Sequence, residues 1–269
     1  MIDLLSVNRV AFTIGNTDIY WYGIIICLAI IAAIVVSTIF CKIKKYDSDM
    51  PLNLALAIIP VGILSARLFS VIFEDGLTLK DYFNFRTGGM SIIGAIIGGV
   101  LALVIYILIK KPKDKWIYFD TVAVVLILAQ AIGRWGNYFN SEVYGQVVSP
   151  DSIFATFPFV VNIDGVYYQA LFFYESALDL IGFLILSLVY LCSDKKGLPT
   201  AIYLIYYGTV RTILEGLRQE EYVLRLAGLP VSRICSAIMI IAGIVLLSII
   251  LIQSRKTKVV YEKERRNKS

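Results

Sequence analysis

One short stretch of the chain concentrates residues able to bind a phosphate ester and react with it. Residues 133–145 include one arginine, two asparagines and one glutamate: Arg134, Asn137, Asn140 and Glu142. The planar guanidinium of arginine matches the oxygens of a phosphate group. Asparagine amides donate hydrogen bonds to ester or glycerol oxygens, and a nearby carboxylate either orients the guanidinium or accepts a proton. The stretch indicates a phosphate-ester site; the alternative is a polar helix end that turns out of a membrane.

Three charged residues farther along the chain form a second candidate anion site. Arg211, Glu215 and Arg218 are four and three residues apart, so a helix would place them on one face. Two guanidiniums on either side of one carboxylate would make an anion pocket, whereas the alternative is a pair at a water-exposed helix end worth a few tenths of a kcal/mol. Arg67 interrupts an otherwise apolar segment, and a charge in such a place usually has a function or a partner.

Small residues recur where close backbone approach is useful. Residues 88–99 carry glycine, serine and alanine at fourfold spacing, which favours helix packing or the wall of a cavity near a lipid headgroup. Glycines also frame residues 133–145, the last of them Gly145, and they let the backbone bend towards a ligand.

The composition indicates the elements that must position these residues. The chain has 269 residues, of which 58% are hydrophobic and 17% charged, against about 25% charged in soluble domains. These values exclude a disordered chain and a small disulfide-stabilised protein, and they predict a polytopic membrane protein. The net charge of +5 is then assigned to cytoplasmic loops, not to nucleic-acid binding.

Histidine is absent from the sequence, which excludes an imidazole base and a histidine metal ligand. Its four cysteines are not spaced as metal ligands and lie in or beside apolar runs. We therefore expect no metal and no cofactor.

Seven apolar segments approach the length of about 20 residues that a helix needs to cross a bilayer. They cover residues 19–41, 51–73, 88–109, 116–133, 169–192, 199–214 and 234–254. The predicted fold is an all-α polytopic membrane protein with seven transmembrane helices, forming a single integral membrane domain over residues 1–269.

The loops between these segments carry unequal charge. One side has sixteen lysines and arginines and the other has seven, so the positive-inside rule predicts an external N-terminus and a cytoplasmic C-terminus. Residues 254–269 would form a basic cytoplasmic tail. The longest external loop, residues 137–168, would be a small extracytoplasmic cap, in which Asp164-Gly165 between β-prone runs predicts a hairpin.

The pattern Gly133-Arg134-x-Gly136-Asn137-x-x-Asn140-x-Glu142-x-x-Gly145 resembles the signature of the prolipoprotein diacylglyceryl transferase family. Other family-like landmarks run along nearly the whole chain: Trp21-Tyr22-Gly23, Ala66-Arg67-Leu68, Gly88-Gly89-Met90-Ser91, Asp120, Tyr174-Glu175-Ser176 and the Arg211 triplet. The family's arrangement of seven spans with the N-terminus outside agrees with the count above.

The resemblance implies transfer of the diacylglyceryl group of phosphatidylglycerol to the lipobox cysteine of a prolipoprotein signal peptide, with release of glycerol phosphate. It also implies a bacterial plasma (inner) membrane location, with membrane lipid as a further partner and no nucleic acid. We assign catalysis to Arg134, Arg211, Glu142 and Tyr22. Substrate binding is assigned to Arg134, Asn137, Asn140, Gly145, Arg67 and Arg218.

The chain departs from the family's pattern in three places. Ile93-Gly94-Ala95 replaces a His-Gly-Gly, Gln169-Ala170 replaces a His-Pro, and Gln219-Glu220-Glu221 replaces x-Pro-Asp after Arg218. The histidine proposed as the family's general base is therefore missing. Either Glu142, Tyr22 or an arginine assists deprotonation of the thiol, or this divergent copy only binds lipid or lipopeptide, or it uses another anionic lipid or thiol. We favour retained transfer because the arginine, asparagine and glutamate set is complete.

Overall fold

A computed structural model describes residues 8–73, 78–84, 89–220, 223, 225–226 and 228–266. These residues form seven α-helices: α1 (Trp21–Ile43), α2 (Met50–Phe73), α3 (Ile92–Lys110), α4 (Trp116–Asn140), α5 (Leu171–Cys192), α6 (Leu198–Glu215) and α7 (Val231–Arg266). Six short strands pair as three antiparallel hairpins: β1 (Val10–Ile14) with β2 (Thr17–Tyr20), β3 (Val160–Ile163) with β4 (Val166–Gln169), and β5 (Arg225–Leu226) with β6 (Leu229–Pro230). The architecture is predominantly helical, as predicted.

Six of the helices are long and apolar enough to cross a membrane, which makes the chain a multi-pass membrane protein. They are α1 to α5 and the part of α7 from Val231 to Arg255. The helix α6 is not among the six, because its 18 residues include Arg211, Glu215 and several threonines and tyrosines.

The segment Thr38–Tyr118 is one compact unit, in which α2 packs against α3. Gly94 and Gly98 of α3 face Ser65 of α2 so closely that a Cβ at either glycine would collide with it. The small residues of residues 88–99 thus serve helix packing where they are described, while Gly88 itself lies outside the described residues.

The described residues before and after that segment form the second compact unit, in which α6 packs against α5 and α7. Asp120, near the start of α4, caps the beginning of α6. It accepts hydrogen bonds from the backbone N–H of Gly197 at 2.8 Å and of Thr200 at 3.1 Å, and from the Thr200 hydroxyl at 2.6 Å. Because Gly197 has no side chain to cap the helix, a carboxylate from α4 satisfies these amides.

All three hairpins directly precede helices that can span the membrane, and the β5–β6 hairpin leads into α7. The β1–β2 hairpin leads into α1, where the Trp21 N–H donates to the Arg9 carbonyl at 3.1 Å. The β3–β4 hairpin precedes α5, and its turn is Asp164-Gly165, with φ of +52° and +82°. Positive φ at both turn residues matches the right-handed twist of the strands.

Three predicted helix limits are wrong. The helix α4 runs on to Asn140, past the predicted end at residue 133, so most of the polar stretch is helical. The helix α3 begins at Ile92, later than the predicted residue 88. The helix α7 continues to Arg266 through most of the basic tail predicted over residues 254–269, whose last three residues lie outside the described residues.

Candidate active site

An alternating row of charges connects three helices inside the second unit. Arg134 of α4 pairs with Glu175 of α5 through Nη2 and Oε1, which are 2.5 Å apart. Arg211 of α6 approaches the other oxygen of the same carboxylate, with Nη1 and Oε2 3.3 Å apart. Glu175 is buried, with 3% of its side chain exposed, whereas Arg134 keeps 17% and Arg211 14%. Two guanidiniums are therefore held by one buried carboxylate and still reach the surface.

The row continues to the end of α6. Arg211 Nη2 lies 3.1 Å from Glu215 Oε2, and Arg218 Nε lies 3.7 Å from the same oxygen. Glu215 is the last residue of α6, so Arg218 reaches it from the following turn and not from the predicted common helix face. The five residues alternate in sign, and three guanidiniums against two carboxylates leave one net positive charge.

A hydrogen-bonded pair clamps α4 to α5 beside the first ion pair. The Ser176 hydroxyl donates to the Ala131 carbonyl at 2.8 Å and accepts from Trp135 Nε1 at 3.1 Å. Trp135 and Ser176 directly follow Arg134 and Glu175 in the sequence. The clamp therefore fixes the rotation of both helices at the point where the arginine and the glutamate meet.

In the described part of the chain, the carboxylate of Glu142 contacts two asparagine side chains and not the guanidinium of Arg134. Its Oε1 accepts hydrogen bonds from the side-chain amides of Asn137 at 3.0 Å and Asn140 at 3.2 Å. We expected Glu142 to orient the guanidinium of Arg134, but in the described contacts Glu175 does so. The two asparagines fix one oxygen of Glu142, and its Oε2 makes none of these bonds.

Tyr22 packs against the face of α4 that carries the motif. A Cβ at Gly136 would lie 2.6 Å from Cδ2 of the Tyr22 ring, so only glycine admits the ring at this distance. The neighbouring Trp21 stacks on Phe139, with ring centroids 5.0 Å apart. Tyr22 lies within electrostatic range of both Glu142 and Arg134. The structure thus brings five of the predicted site residues to one end of α4: Tyr22, Arg134, Asn137, Asn140 and Glu142.

The backbone between α4 and the cap is strained. Ser141 and Val143 have φ of +52° and +60°, a left-handed conformation that is an outlier for a β-branched residue. Both residues flank Glu142, so the strain accompanies the turn that brings this carboxylate back to Asn137 and Asn140.

Gly145 packs between neighbouring backbone segments, and its contact with substrate stays a prediction. Its N–H donates to the Gln169 carbonyl at 2.9 Å, and its carbonyl accepts from Gln219 Nε2 at 3.2 Å. It also pairs with Arg218 in an isolated β-bridge. A Cβ here would lie 3.0 Å from the Leu217 carbonyl oxygen and closer still to Gln169. The glycine lets this strand pass between two other segments, one of which carries Arg218.

Arg67, predicted to bind substrate, is fully buried in the first unit and binds backbone carbonyls. Its Nε and Nη2 donate to the Asp81 carbonyl at 3.2 and 2.7 Å, Nη2 also donates to Asn84 at 2.7 Å, and Nη1 donates to Gly89 at 2.9 Å. These contacts account for the guanidinium as a support for the segments on either side of residues 85–88. The assignment of Arg67 to substrate binding stays a prediction.

The sequence reasoning did not assign a role to Glu175, Asp179 or Tyr207. Glu175 joins Arg134 to Arg211 in the charge row, Asp179 lies one turn further along α5, and Tyr207 accepts a hydrogen bond from Arg134. The sequence does mark the two acids as functional candidates, because both are ionisable residues inside an apolar segment. Nothing in the sequence marks Tyr207, because a tyrosine in an aromatic-rich helix is ordinary.

The surroundings of Arg218 act on its charge. Burial, together with repulsion from Arg211, lowers the pKa of Arg218 to about 10, although Glu215 partly offsets the effect. The guanidinium stays protonated at neutral pH. The lowered pKa means that Arg218 loses its charge at a lower pH than an ordinary arginine does.

Comparison with known proteins shows the family of the chain. The chain matches the family model described as prolipoprotein diacylglyceryl transferase over residues 9–249. A relative in Clostridium perfringens (strain 13 / Type A), named phosphatidylglycerol--prolipoprotein diacylglyceryl transferase 1, is 38% identical over 259 residues, or 93% of this chain and 97% of the relative. One in Clostridium novyi (strain NT), named phosphatidylglycerol--prolipoprotein diacylglyceryl transferase, is 40% identical over 248 residues, or 89% and 95%. The resemblance seen in the sequence is confirmed, and the chain belongs to the prolipoprotein diacylglyceryl transferase family.

Proposed function

We propose that this protein transfers the diacylglyceryl group of phosphatidylglycerol to the lipobox cysteine of prolipoproteins and releases glycerol phosphate. The observation that carries the proposal is the pair Arg134 and Arg211, held on one buried carboxylate with part of each side chain exposed. Relatives that share 38–40% of their residues with this chain bear the name of that activity.

The arginine pair suits the bond that the reaction breaks. The thiol sulfur attacks the glyceryl carbon, the bond from that carbon to the phosphate oxygen breaks, and its electrons stay on the phosphate. Preorganised donors aimed at such a developing charge stabilise the transition state most. A guanidinium has five N–H donors, and the described contacts of Arg134 are to Glu175 and Tyr207 only, so donors remain for a phosphate.

The thiol must also lose its proton, and no histidine is present to accept it. A free thiol has a pKa of about 8.5, so a base assists its attack at neutral pH. We assign this role to Glu142, whose carboxylate is held by two amides and pairs with no guanidinium in the described contacts. Tyr22, packed beside it, would line the path of the thiol. The proton ends on the released phosphate monoester.

The remaining parts of the proposal concern placement in the membrane. We place α6 across the membrane as the seventh span, with an external N-terminus and a cytoplasmic C-terminus, in a bacterial plasma membrane. The cap over residues 137–168 would then be extracytoplasmic, beside the outer leaflet, and the basic end of the chain would be cytoplasmic. The unequal distribution of lysine and arginine supports this orientation.

A second candidate function is binding of lipid or lipopeptide without transfer. The absence of histidine favours it, since the arginine row alone suffices to hold an anionic headgroup. Transfer and binding differ in whether a thioether forms.

The test supplies purified protein in nanodiscs with phosphatidylglycerol labelled in its acyl chains and a peptide that contains a lipobox cysteine. The expected result is label joined to the peptide through sulfur, with one glycerol phosphate released per peptide. A lipobox peptide with serine in place of the cysteine is the matched control and should stay unlabelled. Folded protein that binds phosphatidylglycerol but yields no labelled peptide would reject transfer in favour of binding.

A further inference from the structure

Asp179 is a buried acid that the charge row leaves without a hydrogen bond. It lies on α5 four residues after Glu175, about 6 Å further along the helix axis, and its residue surface is fully buried. Neither carboxyl oxygen has a hydrogen-bond partner among the described residues. Buried polar groups in native proteins are nearly always hydrogen-bonded, so such an acceptor needs an explanation.

The charged and polar groups around Asp179 come from three helices. Arg134 of α4 and Arg211 of α6 attract its charge, and Glu175 of its own helix repels it. Three tyrosines of α6 also lie within electrostatic range: Tyr203, Tyr206 and Tyr207. Asp179 therefore lies within electrostatic range of the two guanidiniums assigned to phosphate.

Two of the three nearby tyrosine hydroxyls donate to other acceptors. Tyr203 donates to Gln130 Oε1 at 3.3 Å, and Tyr206 donates to the Leu178 carbonyl at 2.7 Å. The hydroxyl oxygen of Tyr207 accepts a hydrogen bond from Arg134, and the Tyr207 hydroxyl makes no hydrogen bond to Asp179 in the described contacts. Within the described part of the chain no donor contacts either oxygen of Asp179, so the carboxylate is open to a donor from a bound molecule.

We infer that Asp179 is a specificity-determining residue that accepts hydrogen bonds from the hydroxyl groups of the lipid headgroup. The inference rests on the proposed function. A lipid that carries a phosphate and, a few ångströms away, free hydroxyls has the acceptor that Arg134 and Arg211 require and the donor that Asp179 lacks. The headgroup glycerol of phosphatidylglycerol has this arrangement. When a lipid without the hydroxyl binds, the buried acceptor stays without a hydrogen bond. The site therefore discriminates against that lipid by more than the net contribution of one hydrogen bond.

The test compares two acyl-labelled donors of equal charge, phosphatidylglycerol and phosphatidylpropanol, whose headgroup has no hydroxyl. The readout is the ratio of kcat/KM for the two donors, measured for the wild type, Asp179→Leu, Asp179→Asn and the exposed control Asp151→Asn. For the wild type and the control we expect a preference for phosphatidylglycerol of about tenfold or more, the factor for one hydrogen bond to a buried acceptor. In Asp179→Leu the ratio should fall towards one, through slower use of phosphatidylglycerol alone.

Each other outcome has a defined meaning. Equal slowing of both donors, or an unchanged ratio, would overturn the inference, because a purely structural or charge-balancing role affects two monoanionic lipids alike. If Asp179→Leu does not fold, Asp179→Asn decides: a lower ratio than in the wild type supports the inference, and an equal ratio overturns it. A wild type that uses neither donor would overturn the proposed function and this inference together, whereas transfer without any donor preference would overturn the inference alone.

Discussion

Replacing Glu175 by glutamine tests the charge row at the carboxylate that joins Arg134 to Arg211. The change keeps the shape of the side chain and removes the charge that both Arg134 and Arg211 contact. Removing one partner of a buried ion pair costs about 3–5 kcal/mol. The cost should lie near the lower of these values, because only Arg134 loses its carboxylate. Arg211 keeps a second carboxylate, that of Glu215, at 3.1 Å. A loss of about 3 kcal/mol lowers the thermal midpoint by about 6–12 °C in a chain of this size.

The lipid response distinguishes this reasoning from simple damage to the fold. In Glu175→Gln a phosphate would take the place of the missing carboxylate, so phosphatidylglycerol should raise the thermal midpoint more in the variant than in the wild type. Label transfer should fall by about a hundredfold, because the guanidiniums are no longer preorganised. The assay is thermal unfolding in neutral detergent with and without phosphatidylglycerol, followed by label transfer. Asp164→Asn, in the exposed hairpin turn, is the control; equal lipid stabilisation of Glu175→Gln and the wild type would refute the reasoning.

Three further changes probe other parts of the account. Gly136→Ala should displace Tyr22 and slow transfer about tenfold, with an overpacking cost of about 1–3 kcal/mol, whereas Gly133→Ala, where a Cβ would meet Ile26 at an ordinary 3.7 Å, should do neither. Arg67→Met should lower the free energy of unfolding by about 2–5 kcal/mol, because several backbone carbonyls lose their donor. A loss no larger than that of the exposed control Lys80→Met would contradict the supporting role of Arg67. Affinity for phosphatidylglycerol should weaken as pH rises through about 10, where Arg218 loses its charge; Arg218→Gln should bind more weakly at pH 7 and show no such step.

The class of protein and its family could be predicted from the sequence because both depend on local patterns. Long uncharged runs indicate membrane helices whatever they pack against, and the motif over residues 133–145 is contiguous. The turn at Asp164-Gly165 is equally local, since its two residues adopt the positive φ that the pair favours. These features require no knowledge of how one helix is rotated against another.

The partners of the charges could not be predicted, because they depend on that rotation. Glu142 is eight residues from Arg134 and seemed the natural carboxylate for it, yet Glu175 on another helix is the one in contact. The end of α4 was misjudged for a related reason. Polar residues suggested an exit from the membrane at residue 133, but their side chains are paired within the protein, so the helix continues to Asn140.

Arg67 and Gly145 show a second limit of sequence patterns. An arginine inside an apolar segment indicates a partner without saying which kind, and here the partners are backbone carbonyls. A glycine in a functional motif indicates close approach, and here the approaching group is another part of the backbone. Both residues lie in family-like motifs and both support neighbouring backbone.

The central claim is that the guanidinium of Arg134 holds the phosphate of phosphatidylglycerol during transfer. The most direct measurement is the rate of label transfer from phosphatidylglycerol to a lipobox peptide by Arg134→Ala, made alongside a thermal unfolding curve. Glu175 keeps Arg211 as a partner in this variant, so the protein should fold. We predict a folded protein whose transfer is slower by about a hundredfold or more. Transfer at the wild-type rate by folded Arg134→Ala would contradict the account.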